Sequence, residues 1–223
     1  VQESLEEQMV TRFEDRTEAG ERLAAVLPQF RERPDTLVLG LARGGIPVAA
    51  AAAKALYLPV GTVLVRKLGI PGHEETAYGA LAWARGRIVR LINKPLLDRV
   101  LEHGVRRERL DEVEERERAE LLRRVDLYPG TEHDLNGKTV VLVDDGLATG
   151  ATMRAAVEAV REGGAATVVA AAPVASIDAE ASVERVCDAV ICLHLPGKFR
   201  AVGSFYRHFE QLTDDDAISF LSQ

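Results

Sequence analysis

Cysteine is scarce: 2 in 223 residues. Cys187 and Cys192 have neither CxxC nor metal-ligand spacing, so reduced structural thiols are expected. Positive charge is also in deficit. With 28 Lys and Arg against 35 Asp and Glu, the formal charge is −7, which argues against nonspecific binding to a nucleic-acid backbone but allows local basic pockets. No apolar run reaches the roughly eighteen residues of a membrane span, and the acidic stretch Glu3 to Glu7 is unlike a signal peptide. A soluble, cytoplasmic protein is expected, binding neither membrane nor nucleic acid. Several catalytic signatures are missing as well. The Gly137-Lys138-Thr139 triplet has Glu132 where a complete P-loop needs its first glycine, Gly40-Leu41-Ala42-Arg43-Gly44-Gly45 has the wrong spacing for a dinucleotide fingerprint, and HExxH and GxSxG do not occur. Internal repeats and low-complexity segments are absent too.

What is present is an alternation of apolar runs and Ala-rich helical patterns. Helical spacing covers residues 17 to 30, with Ala19, Leu23, Val26 and Leu27 on one face. Strands are expected at 36–41, 59–67, 138–144, 167–174 and 189–195, with helices at 47–56, 151–162 and 177–186. This order implies an α/β fold with a mostly parallel, doubly wound sheet flanked by helices. Residues 68 to 75, with Gly69, Pro71 and Gly72, read as a loop able to act as a lid; residues 76–83 and 87–92 read as a hairpin. Residues 95 to 125 read as one long charged helix with a thin apolar stripe and i,i+4 pairs such as Glu120/Arg124. Such a helix is solvated or makes a dimer contact.

The densest pattern is Val140-Val141-Leu142-Val143-Asp144-Asp145-Gly146-Leu147-Ala148-Thr149-Gly150-Ala151-Thr152. Four apolar residues, three of them β-branched, suit a buried parallel strand, so the turn after them lies at a strand's carboxyl end, where open α/β sheets bind ligands. Backbone amides at the following helix start, with the hydroxyls of Thr149 and Thr152, suit an anion. Asp144 and Asp145 would repel a phosphate and suit sugar hydroxyls or a metal instead. A Walker B strand or a plain capped helix are the alternatives. Arg43-Gly44-Gly45 ends the first core strand, and Arg66-Lys67 the second, on the same rim as Asp144; solvated turn residues are the alternative for both.

These thirteen residues resemble the type I phosphoribosyltransferases, which bind phosphoribosyl diphosphate (PRPP) through a strand, two acids and a Thr-Gly-x-Thr/Ser loop. The resemblance implies a phosphoribosyltransferase moving 5-phosphoribosyl from PRPP to a nitrogenous base, with Mg²⁺ as cofactor and pyrophosphate released. By it, Ala148, Thr149, Gly150, Ala151 and Thr152 would hold the 5′-phosphate, and Asp144 and Asp145 the ribose hydroxyls and the metal. Arg43, Gly44, Arg66 and Lys67 would grip the pyrophosphate, with Arg66, Lys67 and Glu74 as the catalytic group, Glu74 standing near the base. Ala148 replaces an Asp found in the 6-oxopurine enzymes, which counts against hypoxanthine and guanine. One domain spans 1–223, with a core over 34–195 and a base-selecting hood from about 1–16 and 196–223. Val174, Phe199, Phe205 and Tyr206 are its base-side candidates. A homodimer is compatible with the resemblance. The alternative function is a PRPP-binding regulator without turnover, for which a basic face or helix-turn-helix would be expected and is not evident.

Overall fold

The computed structural model describes residues 12–84, 86–129 and 131–222, with the backbone alone at residue 75. Its centre is a parallel five-stranded sheet in the order β2-β1-β6-β7-β8. These strands are β1 (Thr36–Leu41), β2 (Val60–Val63), β6 (Thr139–Val143), β7 (Thr167–Val174) and β8 (Ala189–His194). β1 and β6 are buried along their whole length, as continuous apolar runs in a two-sided sheet must be. One face is covered by α1 (Arg16–Ala25) and α2 (Gly45–Leu56), through Leu23, Val48, Ala52 and Leu56, with Leu27 just past α1. The other is covered by α5 (Ala151–Glu162) and by a three-stranded antiparallel sheet. That small sheet comprises β3 (Val65–Ile70), β4 (His73–Ala84) and β5 (Arg87–Ile92), so the expected hairpin is present. Its outer face packs Leu68, Tyr78 and Leu81 against α3 (Lys94–Glu102), α4 (Arg107–Leu127) and the last helix, α7 (Asp214–Leu221). A short helix, α6 (Ile177–Glu184), precedes β8. The expected α/β class is the observed one.

Four local expectations are corrected. The run 59–67 is two strands: β2 pairs with β1 and ends at Val63, and from Val65 the chain pairs with β4 instead. Residues 68–75 are therefore no loop. β3 continues to Ile70, a Pro71-Gly72 turn follows with Gly72 at φ +83°, and β4 begins at His73. Burial of Leu68 and Ile70 against the helices supplies the reason. The long helix is two helices broken after Glu102, where Gly104 takes φ +89°, a left-handed conformation that glycine adopts without a Cβ clash. The first helix also ends early, at Ala25, with a 3₁₀ turn at Pro28–Phe30.

β1 connects outward to β2 while β6 lies on its other side, so the connections after these neighbours diverge. The crevice outside their carboxyl ends is where such sheets take ligands. The arm from residue 12 and the tail converge beside it. Phe13 donates from its backbone N to Phe205 O at 2.9 Å, Arg207 N to Phe13 O at 2.9 Å and His208 N to Glu14 O at 3.0 Å.

Candidate functional site

The ends of β1 and β6 meet through glycine. A Cβ on Gly44 would fall on the Asp145 carboxylate, and one on Gly45 on the Val143 carbonyl, so only bare backbone lets the 42–45 turn lie against the acidic pair. The Ala42–Arg43 peptide is cis. The sequence expectation that the Arg43-Gly44-Gly45 turn lies on the same rim as Asp144 is met at short range, a Gly45 Cβ falling 2.8 Å from Asp144 Cα.

Both acids are mostly buried, and burial holds both above the ordinary carboxylate range. Asp144 is raised further by its charged neighbour, and its Oδ1 accepts one hydrogen bond, from Asp145 N at 2.9 Å. Asp145 has a cation: Arg16 donates from Nε to its Oδ2 at 3.0 Å, with the two side chains 11% and 14% exposed. Asp15 caps α1 by accepting from the backbone of Thr17 and Glu18, which starts the helix where Arg16 can reach the rim. The Arg16 guanidinium also lies 3.9 Å from the centre of the Phe209 ring and donates to the Glu210 carbonyl at 3.1 Å. Tyr206 Oη donates to the Asp145 carbonyl at 2.6 Å. Arm and tail thus both grip the acidic turn.

The adjoining turn opens α5 differently. Gly150 takes φ +72° as the N-cap without a side-chain acceptor, leaving first-turn amides for an incoming anion. Thr149 Oγ1 makes only a long contact with Ala151 N, 3.4 Å. Ala148 and Thr149 are exposed, Ala151 and Thr152 half-buried. Ser176 anchors the turn from below, donating from Oγ to the Ala148 carbonyl at 2.9 Å and from its backbone N to Leu147 O at 2.9 Å. A Cβ on Gly150 would strike Ser182 and Val183 of α6, so both the left-handed backbone and the close approach require glycine there.

Beside the acids opens a cavity of about 370 Å³, lined by Arg16, Arg43, Gly44, Arg66, Arg124, Asp145 and the tail 209–212. It joins four of the sequence-selected residues: Arg43, Gly44, Arg66 and Asp145. Arg66 enters it from β3 already paired, with Nε and Nη2 at 2.8 and 2.6 Å from Glu117 Oε2 of α4. Lys67 sits next to it on β3, half-buried, and is not part of the cavity wall. Glu74 is at the exposed tip of the β3–β4 hairpin, accepting from Gly72 N at 3.1 Å, and its backbone contacts hold it below the ordinary range. The structure does not bring it to the cavity wall. Val174 is wholly buried, under Gly146. Phe199 and Phe205 lie tilted against each other with ring centres 5.5 Å apart, and Tyr206 likewise against Phe13 at 5.4 Å, packing the tail down. The aromatic ring that lines the cavity is Phe209 instead.

A second cavity of about 370 Å³ lies away from the acids, among Leu39, Thr62, Trp83, Glu132 and Val160, and contains none of the sequence-selected residues. Arg16, Arg124 and Phe209 were not selected from sequence. Arg16 and Phe209 lie within the expected hood segments 1–16 and 196–223, but nothing local singles them out there. Arg124 did carry a signal, since with Leu110, Val113, Glu117 and Leu121 it repeats at helical spacing on the buried face of α4.

Against this geometry, residues 14–206 match the model of the phosphoribosyl transferase domain. The chain belongs to that family. Two curated Mycobacterium tuberculosis proteins, "Putative phosphoribosyl transferase MT0597" of strain CDC 1551 / Oshkosh and "Putative phosphoribosyl transferase Rv0571c" of strain ATCC 25618 / H37Rv, are each 41% identical over 95% of this chain. The chain spans 46% of the length of each, about half. Among solved structures, TT1426 from Thermus thermophilus is 37% identical with a TM-score of 0.77, over 94% of this chain and 97% of that one. The phosphoribosyl transferase domain here therefore has its β1 and β6 turns, its acids and its glycine contacts in a fold shared with a close structural relative.

Proposed function

We propose that this phosphoribosyl transferase domain transfers 5-phosphoribosyl from PRPP to a nitrogenous acceptor and releases pyrophosphate. The observation that carries the reading is the contact of Gly44 with the Asp145 carboxylate, which joins an Arg-Gly turn to a diol-binding acid across one crevice. Asp144 and Asp145 face the ribose hydroxyls, the turn 148–152 takes the 5′-phosphate on the α5 amides, and Arg43 and Arg66 face the diphosphate. The C1′–O bond to diphosphate breaks, the acceptor nitrogen bonds C1′, and the acceptor's proton leaves to solvent or diphosphate. The charge that develops on the departing diphosphate is met by guanidinium groups held in place before the reaction, as in other electrostatically assisted group transfers. Arm 12–16 and tail 196–222 form the hood that keeps water from an oxocarbenium-like ribosyl centre.

The donor set fits Mg²⁺ shared with substrate. Two buried carboxylates held above their usual range favour a cation, whereas among the described residues no group of three His, Cys, Asp or Glu could cage one alone. Mg²⁺ is commonly held by one or two carboxylates plus substrate oxygens, where it screens phosphate charge. Asp144 and Asp145 are the residues that would hold it. Among the described residues no helix is long and apolar enough to cross a membrane. Both cysteines are free thiols, which suits a reducing compartment, and we place the reaction in the cytoplasm.

Pyrophosphate release from PRPP and Mg²⁺ in a panel of nucleobases and amines tests the reading. Release with one acceptor supports transfer. PRPP binding with no release from any acceptor supports a PRPP-responsive regulator, and unchanged calorimetric PRPP affinity in Asp144→Asn with Asp145→Asn overturns the site.

A further inference from the structure

The buried face of α4 is unusual for what it buries. Its apolar positions Leu110, Val113 and Leu121 pack on the small sheet, yet the same face carries Glu117 and Arg124, each only 8% exposed. Burying charge without strong compensation costs several kcal/mol per ion by order of magnitude, and apolar residues at both places would serve packing as well or better. Each charge is instead coupled to the cavity at the β1 end. Glu117 takes Arg66, and Arg124 itself lines the cavity with Arg43 and Arg66.

Arg124 is also only partly engaged. Its Nε donates to Glu120 Oε1 at 2.8 Å, and Glu120 is shared with Arg123, which donates to it at 2.8 and 3.0 Å. Arg123 is taken in turn by Asp214 of α7 at 2.7 Å, which fixes the end of α4 against the tail. No hydrogen bond holds the terminal nitrogens of Arg124 among the described residues. Arg43, from the turn after β1, and Arg124, from α4, line the same cavity, so the two side chains reach it from different elements. Two such forks beside Arg66 match a multiply charged, multi-oxygen anion better than a single carboxylate.

We propose that Arg124 is a third arginine for the diphosphate of PRPP, acting with Arg43 and Arg66, which makes the long helix α4 part of the binding site. This rests on the phosphoribosyl-transfer reading above. Calorimetry with Mg²⁺ and three probes, PRPP, inorganic pyrophosphate and ribose 5-phosphate, tests it on the wild-type chain, Arg124→Ala and Arg124→Lys. A charge-assisted hydrogen bond contributes enough for Arg124→Ala to weaken pyrophosphate and PRPP about tenfold to a hundredfold, with ribose 5-phosphate changed less than about twofold. Arg124→Lys, which keeps the charge but not the fork, falls between, and it carries the test should Arg124→Ala fail to fold by circular dichroism. Pyrophosphate affinity unchanged in the variants, or equal losses for all three probes, overturns the assignment of Arg124 alone. A wild-type chain that binds neither PRPP nor pyrophosphate overturns the transfer reading and this inference with it.

Discussion

Replacing Arg16 by alanine should destabilise the protein far more than loss of an ordinary surface charge. The Arg16–Asp145 pair is close, 3.0 Å, and nearly out of water on both sides, 11% and 14% exposed. Removing one member of a buried pair typically costs about 3–5 kcal/mol, because the other charge stays behind unpaired. Asp145 can relieve part of this by protonating, since burial already holds its carboxyl high, so the lower end, about 3 kcal/mol, is expected. The lost contact over Phe209 at 3.9 Å adds about 0.5–1 kcal/mol. The Glu210 carbonyl, on an exposed residue, can turn to water and adds little. A total of about 3.5 kcal/mol corresponds to a fall in Tm of about 7–14 °C for a chain of this size. Urea unfolding at neutral pH measures it directly. A double-mutant cycle with Asp145→Asn isolates the pair, and a coupling of about 2 kcal/mol or more is expected. Coupling below about 0.5 kcal/mol would show that the pair is open to solvent and would refute the closed rim described here.

Asp144→Asn should stabilise the ligand-free protein at neutral pH while removing Mg²⁺-dependent PRPP binding. A carboxyl whose folded pKa is raised holds its proton longer when folded, so its contribution to stability falls as pH rises from the ordinary value of about 4 through the folded value. The advantage of the variant in urea unfolding should therefore shrink as pH falls towards about 4; an advantage that grows instead contradicts the sign. Gly44→Ala and Gly45→Ala each place a methyl on an occupied position, the Asp145 carboxylate that Arg16 holds or the Val143 backbone carbonyl. Overpacking of this kind costs about 1–3 kcal/mol, and calorimetry should show PRPP binding lost even where the fold survives. Wild-type affinity in either variant would mean that the two turns do not meet in solution.

Much of the architecture was legible because it is encoded locally. An apolar run with two acids, a glycine and two threonines marks a strand, turn and helix within thirteen residues, and each step depends on near neighbours. The break at Gly104 was missed: residues 95 to 125 read as one helix because i,i+4 pairs such as Glu120/Arg124 suggested continuity, although a glycine inside a helical pattern is a signal of a break. The β2–β3 switch was not legible, since strand propensity runs on through Leu64 and only packing selects which sheet each half joins. The aromatic residues chosen near residue 200 were chosen by density. Their rings instead pack the tail onto Phe13 and His194, and the cavity receives Phe209.

By itself, then, the order of residues determined the parallel α/β core, the acidic turn and the family, because hydrophobic period, glycine placement and helix-start chemistry act over a few residues. Tertiary structure decided who stands opposite those groups. Arg16 reaches Asp145 across 129 residues of chain, and Glu117 reaches Arg66 across 51. Such pairings follow from how helices settle on the sheet, and burial then sets the charge each acid holds.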